Sequence, residues 1–133
     1  MNRLEAVVVT IEGEQNLHII RFDCLGESLS MMGLDLPLGL KIGSRVVLGA
    51  KPSHIALAKH LKGELSYSNQ LKACVVSIEE GKLLCSIVVH VKGIALQSFI
   101  TRGSYERMGL HVNDEVTLLI KASELFVLEV CDA

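Results

Sequence analysis

Asn2–Gly13, NRLEAVVVTIEG, and Asn69–Gly81, NQLKACVVSIEEG, are two versions of one segment. Aligned without a gap at a spacing of 67 residues, they share Asn, Leu, Ala, two Val, Ile and Glu. Gly26 falls on Gly93 at the same spacing. Further on, LKIGSRVVLGAKPSHIAL (from Leu40) falls on LHVNDEVTLLIKASELFVL (from Leu110), now at a spacing of 70. The second copy therefore carries three extra residues in its middle. Agreement at both ends around one short insertion marks an internal duplication. The copies are assigned to residues 1–62 and 63–133, with the polar, Gly63-containing stretch AKHLKGELSYS (58–68) as the join.

Each copy reads as strand. VVVTI, LHIIRF and SRVVLGA in the first, and LLCSIVVHV and EVTLLIKA in the second, are rich in β-branched residues and run for about five to nine residues between glycines. One segment departs from this. Ser104-Tyr-Glu-Arg-Met-Gly109 has a candidate N-cap, a short polar turn and a closing glycine, and is expected to form one or two helical turns. The first copy has Leu36-Pro37-Leu38-Gly39 nearby, where proline opposes the same helix. The expected fold class is all-β: two tandem OB-like antiparallel β-barrel modules, with a short helix in the second.

Composition narrows the function. In 133 residues, 50% are hydrophobic but only 4% aromatic, with no Trp, so the core must come from Val, Ile, Leu and Ala. A half-chain of this size buries too little surface to be very stable alone, so pairing of modules or oligomerisation is expected. The formal charge of −2 gives no general attraction to nucleic acid or membrane, and the few aromatics offer no stacking platform for single strands. The apolar start, MNRLEAVVVTIEGEQ, is interrupted by Glu5 and Thr10 and lacks a small-residue cleavage site, so no signal peptide is expected and the location is read as cytoplasmic. Cys24, Cys74, Cys85 and Cys131, and five scattered histidines, form no zinc-ligand spacing, so no metal site is expected. Neither a nucleophile–base set nor a phosphate loop is present, and a non-enzyme is expected.

The candidate site follows from EVTLLIKAS. Read as a strand, it puts Lys121 and Ser123 on one face, roughly 7 Å apart, and Lys51 and Ser53 repeat the pair in the first copy. A cation beside a hydroxyl can hold a tetrahedral oxyanion. A solvated lysine deterring edge pairing is the competing explanation. Ser66-Tyr67-Ser68-Asn69, just before the first strand of the second copy, offers further hydroxyl and backbone donors, and is equally ordinary turn chemistry.

NQLKACVVSIEEG, SFITRGSYERMGL and DEVTLLIKAS, in that order, resemble the molybdate-binding Mop (TOBE) module. The first copy is similar to a more divergent form, its VVLGAKPSHIALA resembling the version appended to ABC-transporter ATPases. The whole chain thus resembles a di-Mop protein. The resemblance implies a cytoplasmic molybdate or tungstate binder for storage or homeostasis, with no organic cofactor. It also implies a homo-oligomer, a trimer being favoured, with anions held between subunits or modules. Where the family usually reads Ser-Ala-Arg-Asn, this chain has Ser66-Tyr67-Ser68-Asn69, so a fixed positive charge is missing. Oxyanion contacts are expected from Ser66, Tyr67, Ser68, Asn69, Lys121, Ser123, Lys51 and Ser53. The alternative is a regulatory module that docks on a transporter ATPase or on molybdenum-cofactor proteins.

Overall fold

The structure, a computed structural model, describes residues 1–131. Ten strands run in the order β1 (Asn2–Glu14), β2 (Leu17–Cys24), β3 (Glu27–Gly33), β4 (Arg45–Ala50), β5 (Ala56–Ala58), β6 (Asn69–Glu80), β7 (Leu84–Val91), β8 (Ile94–Thr101), β9 (Glu115–Ile120) and β10 (Phe126–Cys131). One helix, α1 (Arg102–Met108), lies between β8 and β9, and two 3-10 turns occupy Pro52–His54 and Ala122–Glu124. The strands form two antiparallel five-stranded sheets, ordered β10-β4-β1-β2-β3 and β5-β9-β6-β7-β8. This is the all-β, OB-like architecture expected from the repeat, with its short helix in the second half.

The repeated segment makes the two longest strands. Asn2, Leu4, Ala6 and Val8 point inward while their neighbours are exposed, as period-two alternation requires. The alternation then breaks at a bulge between Val8 and Thr10, and β6 breaks at the matching place, between Val75 and Ser77. A bulge bends its strand, so β1 pairs with β4 over its first half and with β2 over its second. The bend explains why strands of 13 and 12 residues replace the shorter ones expected. Each bulge is closed by the loop before the fourth strand of its half. Gly43 N donates to Val8 O at 2.8 Å, and Asn113 N donates to Val75 O at 2.7 Å. Both closing residues have positive φ, a conformation that glycine and asparagine adopt at least cost.

Helix α1 starts earlier than the sequence suggested. Its N-cap is Thr101, whose Oγ1 accepts from Ser104 N at 3.1 Å, so Ser104 lies inside the first turn and is not the cap. Thr101 closes β8 in an extended conformation and meets the N-cap preference with its hydroxyl. Gly109 ends the helix in the left-handed region, as expected.

The two sheets do not follow the halves of the sequence. Strand β5, from the first half, completes the second sheet by pairing with β9, and β10, from the second half, completes the first by pairing with β4. Side-chain size matches this exchange. Gly49 of β4 lies under Phe126 and Leu128, and a Cβ there would come within 2.7 Å of Leu128 Cγ. At the corresponding place in the second sheet the sizes reverse, with Leu119 of β9 opposite Ala56 of β5. Each fifth strand therefore fits the other half's sheet; on its own, β10 would set Phe126 against Leu119, and β5 would set Ala56 against Gly49.

Two buried asparagines lock the crossing. Asn2 Oδ1 accepts from Gln97 N and Asn2 Nδ2 donates to Gln97 O, both at 2.8 Å. Asn69 does the same to Ser30, accepting from its N at 2.7 Å and donating to its O at 2.9 Å. Ser30 and Gln97 are 67 residues apart, as are Asn2 and Asn69, so the clamps are one contact made reciprocally. Buried side chains from both halves form one continuous core, including Leu4, Ile20, Phe22 and Leu48 with Val75, Ile87, Leu118 and Ile120.

Two stability predictions follow from these contacts. Asn69→Ala removes both bonds and leaves the Ser30 backbone without partners, and should cost about 2–3 kcal/mol in urea unfolding. A loss within error of zero would remove the clamp from the forces holding the sheets together. Gly49→Leu should lower Tm by more than Ala56→Gly does, because the added side chain needs the volume of Leu128 and Phe126. Equal Tm values for the two variants would contradict size matching.

Candidate functional site

Strand β9 ends at Ile120, so Lys121 and Ser123 do not share the face of an extended strand. Lys121 instead precedes a tight turn in which its carbonyl accepts from Glu124 N at 2.9 Å. Lys51 and Ser53 lie in the matching turn, where Lys51 O accepts from His54 N at 2.9 Å. The chain must leave β4 or β9 sharply in order to cross to the opposite sheet, and the 3-10 turn makes that corner. The period-two spacing of about 7 Å does not apply there.

The crossing brings a different set of residues together. The Pro52–His54 turn packs on β8, while the Ala122–Glu124 turn packs on β3. Between the first turn, β8 and the second turn lies a cleft of about 340 Å3, lined among others by Ser53, Tyr67, Thr101, Ser104, Lys121, and the pair His54 and Glu124. Ser53 and His54 come from the first half and the rest from the second. His54 Nδ1 stands 2.7 Å from Glu124 Oε2, joining the two turns directly. Among the described residues, Lys121 enters no ion pair.

Thr101 and Ser104 were not singled out from sequence for this role, Ser104 having been read only as a helix cap. Their hydroxyls stand 3.0 Å apart, and Arg107 Nη2 donates to Ser104 Oγ at 3.1 Å. With Thr101 and Arg107 both donating to it, Ser104 Oγ keeps its own proton for an acceptor in the cleft. Arg102 is committed elsewhere, to Glu106, the Gly81 carbonyl and Glu80, and ties α1 to the β6–β7 hairpin. The cleft thus offers one ammonium and several hydroxyls, a donor set suited to an oxygen anion.

Of the eight residues expected in the site, Ser53, Tyr67 and Lys121 line this cleft. Lys51, Ser66, Ser68 and Ser123 are exposed and lie outside its lining. Asn69 is fully buried, and its amide is spent on the Ser30 backbone, so its place in the chain is that of a clamp. In the first half Leu34 stands where Thr101 stands in the second, so no hydroxyl occupies the matching position.

Other candidates carry less chemistry. A wider concavity of about 790 Å3 opens at the start of β9, but its Lys59 is held by Asp114 at 3.2 Å and by the Met108 and Gly109 carbonyls. The His111 backbone N–H and Lys59 together keep the Asp114 carboxyl below the usual carboxylate range. Cys24 is buried, which pushes its thiol up and keeps it unreactive. Among the described residues, no group of three or more His, Cys, Asp or Glu converges as a metal site, and no helix is long and apolar enough to cross a membrane.

Comparisons with known proteins bear on this geometry. The chain superposes on a crystal structure of the cytoplasmic molybdate-binding protein ModG, grown with molybdate bound, with a TM-score of 0.90. That match covers 95% of this chain and 94% of ModG at 21% identity, and establishes the shared fold. The chain is 29% identical over 126 residues to the molybdate/tungstate import ATP-binding protein WtpC of Pyrococcus abyssi, and 31% identical over 103 residues to that of Pyrococcus horikoshii. These alignments cover 95% and 77% of this chain but only 36% and 29% of the two proteins, so the chain spans about a third of the relatives it matches. Residues 65–127, which hold Tyr67, Thr101, Ser104 and Lys121, match the TOBE domain.

Proposed function

We propose that the chain binds a tetrahedral oxyanion, molybdate or tungstate, without catalysing a reaction on it, and serves cytoplasmic storage or homeostasis. The observation that carries this reading is the cleft that Ser53, Tyr67, Thr101 and Ser104 line together with Lys121. Its second-half residues lie inside the TOBE match, and the similar proteins are named for molybdate or tungstate. Lys121 supplies charge, while the hydroxyls supply directed hydrogen bonds. Binding of this kind releases the anion unchanged.

The same geometry argues for a second chain over the site. A cleft of about 340 Å3 is of the size that takes a drug-like molecule, and a five-atom anion leaves most of it empty. One ammonium also balances only half the charge of a dianion. Selection of molybdate over sulfate, both tetrahedral dianions, needs a closer wall than one chain provides. We infer a homo-oligomer, with a trimer favoured, in which a neighbouring chain covers the cleft and brings further donors. Exposed Lys51, Ser66, Ser68 and Ser123 are the donors this chain would lend to its neighbours. The sequence units 1–62 and 63–133 are then two Mop-like modules in tandem, made interdependent by the exchanged strands.

Two outcomes test the reading. Calorimetric titration should give molybdate or tungstate affinity tighter than about millimolar, equivalent to about −4 kcal/mol, and weaker sulfate binding. Affinity no better than that for both metal oxyanions would sink the storage role. Lys121→Ala should weaken binding at least about tenfold, and Lys51→Ala by less, because the Lys51 side of the molecule has Leu34 in place of a hydroxyl. A greater loss from Lys51→Ala than from Lys121→Ala would move the site to the other side of the molecule.

A further inference from the structure

The cleft contains a residue that is wrong for an anion. Glu124 lines it together with Lys121, and a free carboxylate there would repel a dianion. The two also share one tight turn at positions i and i+3, a spacing that stacks side chains on the same side of a 3-10 helix. Left to itself, Glu124 could pair with Lys121 and cancel the charge that draws the ligand. No such pair forms. The Glu124 carboxylate is instead taken by His54 Nδ1, at 2.7 Å, from the turn of the other half. An imidazole nitrogen that close to a carboxylate carries its proton and donates it.

The repeat sharpens the contrast. His54 occupies in the first half the position that Glu124 occupies in the second, three residues after the matching lysine. Two copies of Glu at this position would meet as like charges across the two turns. The unlike pair joins the two turns and draws the Glu124 carboxylate onto the imidazole.

We propose that His54 is a positioning residue for the oxyanion, holding the Glu124 carboxylate away from Lys121 and from the bound anion. The proposal rests on the oxyanion reading of the cleft. It makes the first half of the chain necessary for a site whose charge comes from the second.

The test is calorimetric titration of the full-length protein with molybdate, for the wild type, His54→Ala, Glu124→Gln and the double variant. His54→Ala should weaken binding about fivefold, the effect of one unscreened like charge near the ligand. Glu124→Gln should bind more tightly than the wild type, since Gln still accepts from His54 but carries no charge. The double variant should recover the affinity that His54→Ala loses, a rescue that a merely structural histidine would not show. Unchanged affinity in His54→Ala, a double variant as weak as His54→Ala, or weaker binding by Glu124→Gln would each overturn the proposal. If His54→Ala does not fold, Glu124→Gln alone decides the matter by its direction. A wild type that binds no molybdate would overturn the oxyanion reading itself, a failure distinct from a wild type that binds and a histidine variant that binds equally well.

Discussion

The structure depends on one constraint, that each half of the chain must give up a strand to complete the other. A half-chain of this size has little core of its own. Exchanging β5 and β10 merges two small cores into one and makes the halves fold as a unit. The choice of strand is set by volume, Phe126 and Leu128 over Gly49 in one sheet and Ala56 against Leu119 in the other. The reciprocal asparagine amides then satisfy backbone groups of Ser30 and Gln97 that strand pairing alone leaves unmet.

The candidate site follows from the route the exchanged strands take. To cross between sheets the chain turns sharply after β4 and after β9, and both turns start at a lysine and include a serine. The crossing sets the first turn beside β8 and places Ser53 and His54 in the same cleft as Lys121, Thr101 and Ser104. The proposed oxyanion site therefore draws its donors from both halves. Neither half carries it alone. The same crossing couples the stability of the fold to the geometry of the site, since loosening β10 or β5 would separate the donors.

Much of the fold was legible in the sequence because the duplication doubled every signal. Strand runs, turn glycines and the extra helix could be checked against a second copy, and the helix at 102–108 fell where the three-residue insertion put it. The exchange of strands was not legible. Period-two patterning reports which face of a strand is buried, and says nothing of which sheet buries it. The complementary sizes at Gly49 and Leu119 held a signal, but only once their partners were known. Of the residues that line the cleft, the sequence singled out Lys121, Ser53 and Tyr67, and treated Lys121 and Ser123 as strand neighbours because the turn after Ile120 continues a β-rich run. Asn69 looked like a ligand because it sits beside two serines, yet burial gives its amide to the backbone. Thr101 and Ser104 went unrecognised since only the folded chain brings them to the cleft that Lys121 lines.

On the proposed function, the anion sits in the inter-half cleft. The most direct measurement is anomalous diffraction from crystals soaked in tungstate, whose metal marks its own position. A tungsten peak within hydrogen-bonding reach of Lys121, with Ser53 and Ser104 facing it, is the predicted result. A single peak at the concavity around Lys59 and His90, or at the exposed serines alone with Lys121 unoccupied, would contradict the account.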